Sequence, residues 1–285
     1  MRSSNPVFSR EGSFTRDAAY AGFGSSTTQQ QPYGSNPYGN NPYAQQTMTD
    51  GQLAEMYQRP AAGPLQTGRM TMDDVVARTG LTLLTLVAAG ALAWFALPVE
   101  TYAALGLVSL AAFGVYLVIM FKRAVSPPLI LLYSALQGVT LGVASKVFET
   151  LWPGIVVQAV LGTTAVFAGT LIAYKSGRIR VTARYFRIGF SIAIGFMILM
   201  MVNAVAYWLG ADLGLRSGPL GIVVGLIGIA LGAFFLTLNF AEVEEGIRGG
   251  APEKEAWWAA FGLTLSLVWI YLEMLRLIAI LRGDD

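Results

Sequence analysis

Apolar positions in this chain are segregated. The first 74 positions are mostly polar, and from Val75 onward hydrophobic residues come in runs of about 20, the length that crosses a hydrocarbon core as a helix. Seven such runs are read, at 76–97, 101–121, 128–148, 154–174, 188–209, 219–241 and 257–281. Between them lie turn-forming and charged segments: Pro98, "KRAVSPP", Pro153-Gly154, "KSGRIRVTARYFR", "GADLGLRSGP" and "EEGIRGGAPEKE". The pattern predicts an all-α polytopic membrane protein, with seven transmembrane helices over 75–285 and a polar tail over 1–74. Spans one and two are close enough to form a hairpin. Thr71 is placed to cap the first helix, with Asp73 and Asp74 in its first turn.

Polar residues inside the runs are few: Gln137 in span three, Gln158 in four, Asn203 in five, Asn239 in six and Glu273 in seven. A polar group in hydrocarbon needs a partner, so these should face the bundle interior or a wet cavity. In span six, Gly221, Gly225, Gly228 and Gly232 form one helical stripe that continues to Asn239, Glu242 and Gly246. Gly262, Ser266, Trp269, Glu273 and Arg276 share a face of span seven, and Gln158, Gly162, Ala165 and Gly169 share one of span four. These faces are expected to converge, giving a polar trail across the bilayer. Two blander roles compete with it. The amides serve as interhelical hydrogen-bond glue, and Glu273 pairs with Arg276 at i,i+3.

Composition adds the class. Hydrophobic residues make up 54% of the chain and charged ones only 13%, well below a soluble protein's share of about a quarter. The segment "QPYGSNPYGNNPYAQQ" repeats Pro-Tyr among Gln, Asn, Ser and Gly, a composition that predicts a disordered tail. A partner-binding role for its tyrosines is the sharper alternative. No signal peptide is read, because the first apolar run starts only after about 75 residues.

Charge sets orientation. With the N-terminus inside, the inner segments carry Arg59, Arg69, Arg78, Lys122, Arg123, Lys175, Arg178, Arg180, Arg184, Arg187, Arg248 and Lys254. The outer ones carry Lys146, Arg216 and Arg282, with Arg276 near that end, so the balance is twelve against four. The positive-inside rule then predicts a cytoplasmic N-terminus and an outside C-terminus.

Several chemistries fall away. The net charge of +2 gives no case for nucleic-acid binding, and the chain has neither cysteine nor histidine. Thiol catalysis, His-ligated metals and Ser–His dyads are excluded with them. The last span has no lysine for a retinal Schiff base, no span holds an aspartate, and no phosphate-binding glycine loop is present. No enzyme and no cofactor are expected. Glu242, Glu244 and Glu245 sit at the end of span six, where the helix dipole disfavours anions. An inner latch is therefore expected, pairing Glu242 or Glu244 with a basic residue of the second or fourth connection, such as Lys122, Arg123 or Arg178 to Arg187. A solvated acidic turn is the alternative.

The C-terminal stretch "LTLNFAEVEEGIRGGAPEKEAWWAAFGLTLSLVWIYLEMLRLIAIL" resembles the end of the Bax-inhibitor-type membrane proteins, also called the transmembrane Bax inhibitor motif family. "SSNPVF" at Ser3 to Phe8 is similar to the opening of the prokaryotic branch, and "GRIRVTARYFR" and "YSALQGVTLG" fit too. The resemblance implies seven helices with the last one surrounded by the other six. It also implies pH-sensitive calcium leak, gated by paired aspartates in the last two helices. This chain departs from that pair: Asn239 occupies the first position and Ala241 a second expected acid. The partner position falls on Glu273 in one register and on Ser266 in another. Two close carboxylates cannot both ionise, which makes such a pair a pH switch; Asn239 cannot share a proton in that way.

The leading expectation is a cation leak channel or transporter of a bacterial inner membrane, with calcium favoured and its acid-pair gating weakened. Glu273 and Glu242, with amide carbonyls, are the candidate calcium contacts, since hard cations prefer oxygen. Asn239, Glu242, Glu244, Ser266, Glu273, Arg276, Gln137 and Asn203 are the candidate pore and gate residues. The alternative is a non-conducting regulator that binds another membrane protein, such as a quality-control protease, through the tail. The lipid bilayer is the partner common to both.

Overall fold

A computed structural model describes residues 68–98, 102–122, 125–211 and 213–283. The tail expected over 1–74 therefore lies outside the described residues except for 68–74. Among the described residues there are seven helices: α1 Met72–Ala96, α2 Tyr102–Phe121, α3 Pro127–Leu151, α4 Ile155–Lys175, α5 Ala183–Trp208, α6 Gly218–Gly249 and α7 Glu255–Gly283. Six are long and apolar enough to cross a membrane; in α2 the apolar stretch with described side chains, Gly106–Phe121, is shorter.

Local chemistry sets the helix starts. Thr71 caps α1 as expected, its hydroxyl accepting from the Asp74 amide at 3.2 Å while the Asp74 carboxylate accepts from the Thr71 amide at 3.0 Å. Proline opens α3 after Ser126. Gly154 enters α4 with φ 83, and the Glu149 carboxylate accepts from the Gly154 and Val156 amides at 2.6 and 3.1 Å, satisfying free donors of that helix end. Thr182 caps α5, accepting from the Tyr185 amide at 3.2 Å. This cap starts α5 five residues before the apolar run at 188.

The largest departure from the expected limits is α6, which continues two turns past 241 to end at Gly250, with φ 68. Within this acidic extension Glu244 pairs with Arg248 one turn on, at 2.5 Å, a favourable i,i+4 contact.

The last helix is central. Ala256, Ala260, Phe261, Thr264, Ile270 and Leu275 are nearly or wholly inaccessible to solvent, and they span half of its circumference. Helices α1, α3, α4 and α6 pack on it directly. Tyr116 of α2 reaches its Phe261 and Phe196 of α5 its Trp269, at ring centroid distances of 6.2 and 6.1 Å. Among the described residues the backbone of α5 comes close only to that of α6. Its side chains are correspondingly apolar and exposed, as a lipid-facing helix requires.

Two glycine contacts set how closely the backbones approach. On α3, a Cβ at Gly138 would collide with the Leu86 carbonyl of α1, and one at Gly142 with the Gly90 carbonyl. The α6 stripe meets α7: Gly221 faces Ile280, Gly225 faces Leu277, Gly228 faces Glu273 and Gly232 faces Ile270. That convergence agrees with the sequence pattern. The α4 stripe does not: Gln158, Ala165 and Gly169 are exposed, and only Gly162 reaches α7, at Met274. The inward face of α4 is Ile155, Ala159 and Thr170 instead.

At one end of the bundle α1, α3, α5 and α7 begin, and the connections there carry Lys122, Arg178, Arg180 and Lys254; it is called the basic end below. A short strap closes it. The Met70 amide donates to Ala251 O at 2.8 Å and the Glu253 amide to Gly68 O at 2.9 Å, around an antiparallel bridge between Arg69 and Pro252. Arg78 of α1 ties this strap down, bonding both the carbonyl and the carboxylate of Glu253 and lying 5.7 Å from the Trp257 ring centroid. Met70 is buried beside Val75, Val243 and Ala256.

Candidate functional site

The polar residues of α7 face three different neighbours. Thr264 Oγ1 meets Thr82 Oγ1 of α1 at 2.9 Å, both fully buried. Ser266 accepts from Asn239 Nδ2 of α6 at 2.8 Å, and the same amide donates to Gly262 O at 3.1 Å. Trp269 Nε1 donates to Gly228 O of α6 at 2.9 Å. Tyr271 and Ser145 of α3 share a hydroxyl contact of 2.7 Å. Met274 covers Gly162 of α4. The hydroxyl pairs were not singled out in the sequence, because one Thr or Ser in an apolar run carries no signal until its partner helix is known.

The α6–α7 interface holds the candidate gate. Asn239 and Ser266 form one polar layer, so the register that pairs Asn239 with Ser266 is the one the helices adopt. Gly262 belongs to it: a Cβ there would lie 2.8 Å from Asn239 Oδ1. Two turns along α7 stands the second layer, where Arg276 Nη2 pairs with Glu273 Oε2 at 2.5 Å. Glu273 is 9% exposed, and its carboxyl carbon would lie 2.9 Å from a Cβ at Gly228. A larger residue at 228 would displace the carboxylate.

Between these layers the interface is apolar. Ile270 and Leu236 are fully buried, and the Ile270 side chain fills the place where a Cβ at Gly232 would stand. The continuous polar trail expected from the sequence is thus broken. Gln158 lies on the surface of α4. Gln137 is half-buried on α3, and α3 and α6 do not touch, which keeps it from Asn239. Asn203 is buried on the face of α5 that also carries Ala193 and Phe196, directed at α6.

Glu242 is exposed and about four helical turns along α6 from Gly228, the residue under Glu273. The two candidate calcium contacts therefore cannot ligate one ion, and among the described residues no cluster of three or more acidic side chains forms. The latch takes a different form from the one expected. Glu244 accepts from the Tyr174 hydroxyl of α4 at 2.7 Å and pairs with Arg248 of its own helix. Its partners are a tyrosine and an i+4 arginine, where a basic residue of a connection was expected. Arg123, one of the expected partners, lies outside the described residues.

Comparison with known proteins gives one family. The model of the Bax inhibitor 1 like family matches residues 5–283. No curated protein matches the chain. With seven helices among the described residues, a central last helix and a match over nearly its whole length, the chain belongs to the Bax inhibitor 1 like family.

Proposed function

We propose that this protein is a gated cation leak pathway of a bacterial inner membrane, with calcium as the favoured cargo, and that the α6–α7 interface is its closed gate. The observation that carries this reading is the order of layers along that interface: Glu273–Arg276, then Ile270 on Gly232, then Asn239–Ser266. Charged side chains inside a membrane bundle are costly and characteristically mark an ion pathway. An apolar constriction between polar sites blocks ions by excluding water, and it conducts once widened. The carboxylate of Glu273 and the oxygens of Asn239 and Ser266 suit a hard cation in transit, and are too few for a tightly held one. In this reading the basic end faces the cytoplasm, the C-terminus lies outside, and the protein catalyses no reaction.

The test is calcium entry into dye-loaded proteoliposomes. Ile270→Ala should raise the flux by opening the apolar layer, and Glu273→Gln should lower it. Flux indistinguishable from empty vesicles for the wild type and for both variants would remove the proposal.

A second reading rests on the strap at Gly68 to Met70, which holds the start of the described chain against the α6–α7 turn. Here the protein conducts nothing and regulates another membrane protein, such as a quality-control protease, through the polar N-terminal segment. Co-purification that is lost on deleting residues 1–67, together with absent flux, would favour it. That deletion leaves the strap intact.

A further inference from the structure

A cleft of about 1650 Å³ opens between α1 and α4 at the basic end. Ligand pockets for drug-sized molecules occupy about 300–1,000 Å³, so this one has room for a larger, two-chain amphiphile. Its wall is apolar: Val76 and Leu83 on α1, Leu171 on α4, Phe240 on α6, and Leu263 of the central helix at its floor. Phe240 is held in place between Phe167 and Tyr174, at ring centroid distances of 5.9 and 5.7 Å.

The rim is charged. Lys175 and Arg180 flank the tight turn at Gly177, whose φ is 72, and among the described residues neither enters an ion pair. On the α6 side Arg248 is committed to Glu244, and Glu244 also accepts from Tyr174. Glu245 lines the same side. The free positive charge thus lies on the α4 side of the mouth, directly above an apolar wall. Basic pockets between membrane helices select anionic lipid headgroups for this reason.

We propose that this cleft holds one phospholipid with a net negative headgroup, its acyl chains along Val76, Leu171 and Phe240 and its phosphate between Lys175 and Arg180. The site is separate from the α6–α7 gate, so it stands whether or not the protein conducts ions.

Native mass spectrometry of the detergent-purified full chain, with equal phosphatidylglycerol and phosphatidylcholine added, tests the proposal. One phosphatidylglycerol should be retained in preference to phosphatidylcholine. Lys175→Ala with Arg180→Ala should cut that preference by about tenfold, since each basic side chain contributes to anionic-lipid attraction. Gly80 lines the cleft with nothing within 4 Å of a Cβ, so Gly80→Leu should fill it and lower the retention of both lipids. Unchanged melting temperatures would establish that both variants fold. Equal retention of the two lipids, a preference that survives the double substitution, or displacement by soluble glycerol phosphate would overturn the assignment.

Discussion

Asn239 of α6 donates to Ser266 of α7 at 2.8 Å, and this amide–hydroxyl pair occupies a level of the bundle that the carboxylate of Glu273 does not reach. The resemblance to acid-gated relatives implied two proton-sharing aspartates in the last two helices. Here the facing positions carry no titratable group. Asn239→Asp combined with Ser266→Asp should create a proton-sharing pair. The double variant's thermal stability in detergent should then depend on pH between about 5 and 8, whereas either single variant should show a weaker dependence. Identical pH profiles for the double variant and the wild type would show that the two positions do not face each other.

The Glu273–Arg276 pair is buried on both sides, with side chains 11% and 15% exposed. Removing one partner of a buried ion pair leaves the other uncompensated, at a cost of about 3–5 kcal/mol. Arg276→Met alone and Glu273→Gln alone should each lower the melting temperature in detergent. The two together should recover most of the loss. Additive losses in the double variant would mean that the two side chains do not depend on each other.

Backbone proximity between α1 and α3 gives a sharper mutational contrast. Gly142→Ala places a methyl group against the Gly90 carbonyl, whereas Gly169→Ala on α4 meets nothing within 4 Å. The first should destabilise by about 1–3 kcal/mol, as overpacking does. The second should be neutral or slightly stabilising, because alanine favours the helix. Melting curves of the two variants, recorded side by side, check this.

Arg78 joins α1 to the strap through Glu253 and also stands 3.8 Å from Asp74. Arg78→Ala should loosen the strap without unfolding the bundle. Hydrogen exchange should accelerate at the Met70 and Glu253 amides and stay unchanged at the buried centre of α7, around Ile270. Unchanged exchange at Met70 would show that Arg78 is not what holds the strap.

Much of this fold is legible from residue order, for a physical reason. Only a helix of about 20 residues satisfies its own backbone across hydrocarbon, so seven apolar runs translate directly into helices. The α6 glycine stripe was also readable, because four glycines on one face have no role on a lipid-facing surface. Gly162, Ala165 and Gly169 looked equivalent, yet two of them are exposed: small residues on a single stripe do not reveal which neighbour, if any, covers them. The end of α6 is hidden in the sequence because its glutamates mark departure from hydrocarbon, whereas the helix itself runs on to Gly249. Within the candidate site, the facing stripes of spans six and seven carry Asn239, Ser266, Glu273 and Arg276, and these residues meet at the α6–α7 interface. The apolar layer between them was invisible, since Ile270 and Leu236 resemble every other aliphatic residue in their runs.

The strap has a mechanical consequence. Two main-chain hydrogen bonds fasten Gly68 and Met70 to the hinge joining the final pair of helices. A pull on the preceding polypeptide would therefore be delivered to that hinge before it strained the body of α1, making the upstream chain a lever on the helix at the heart of the molecule.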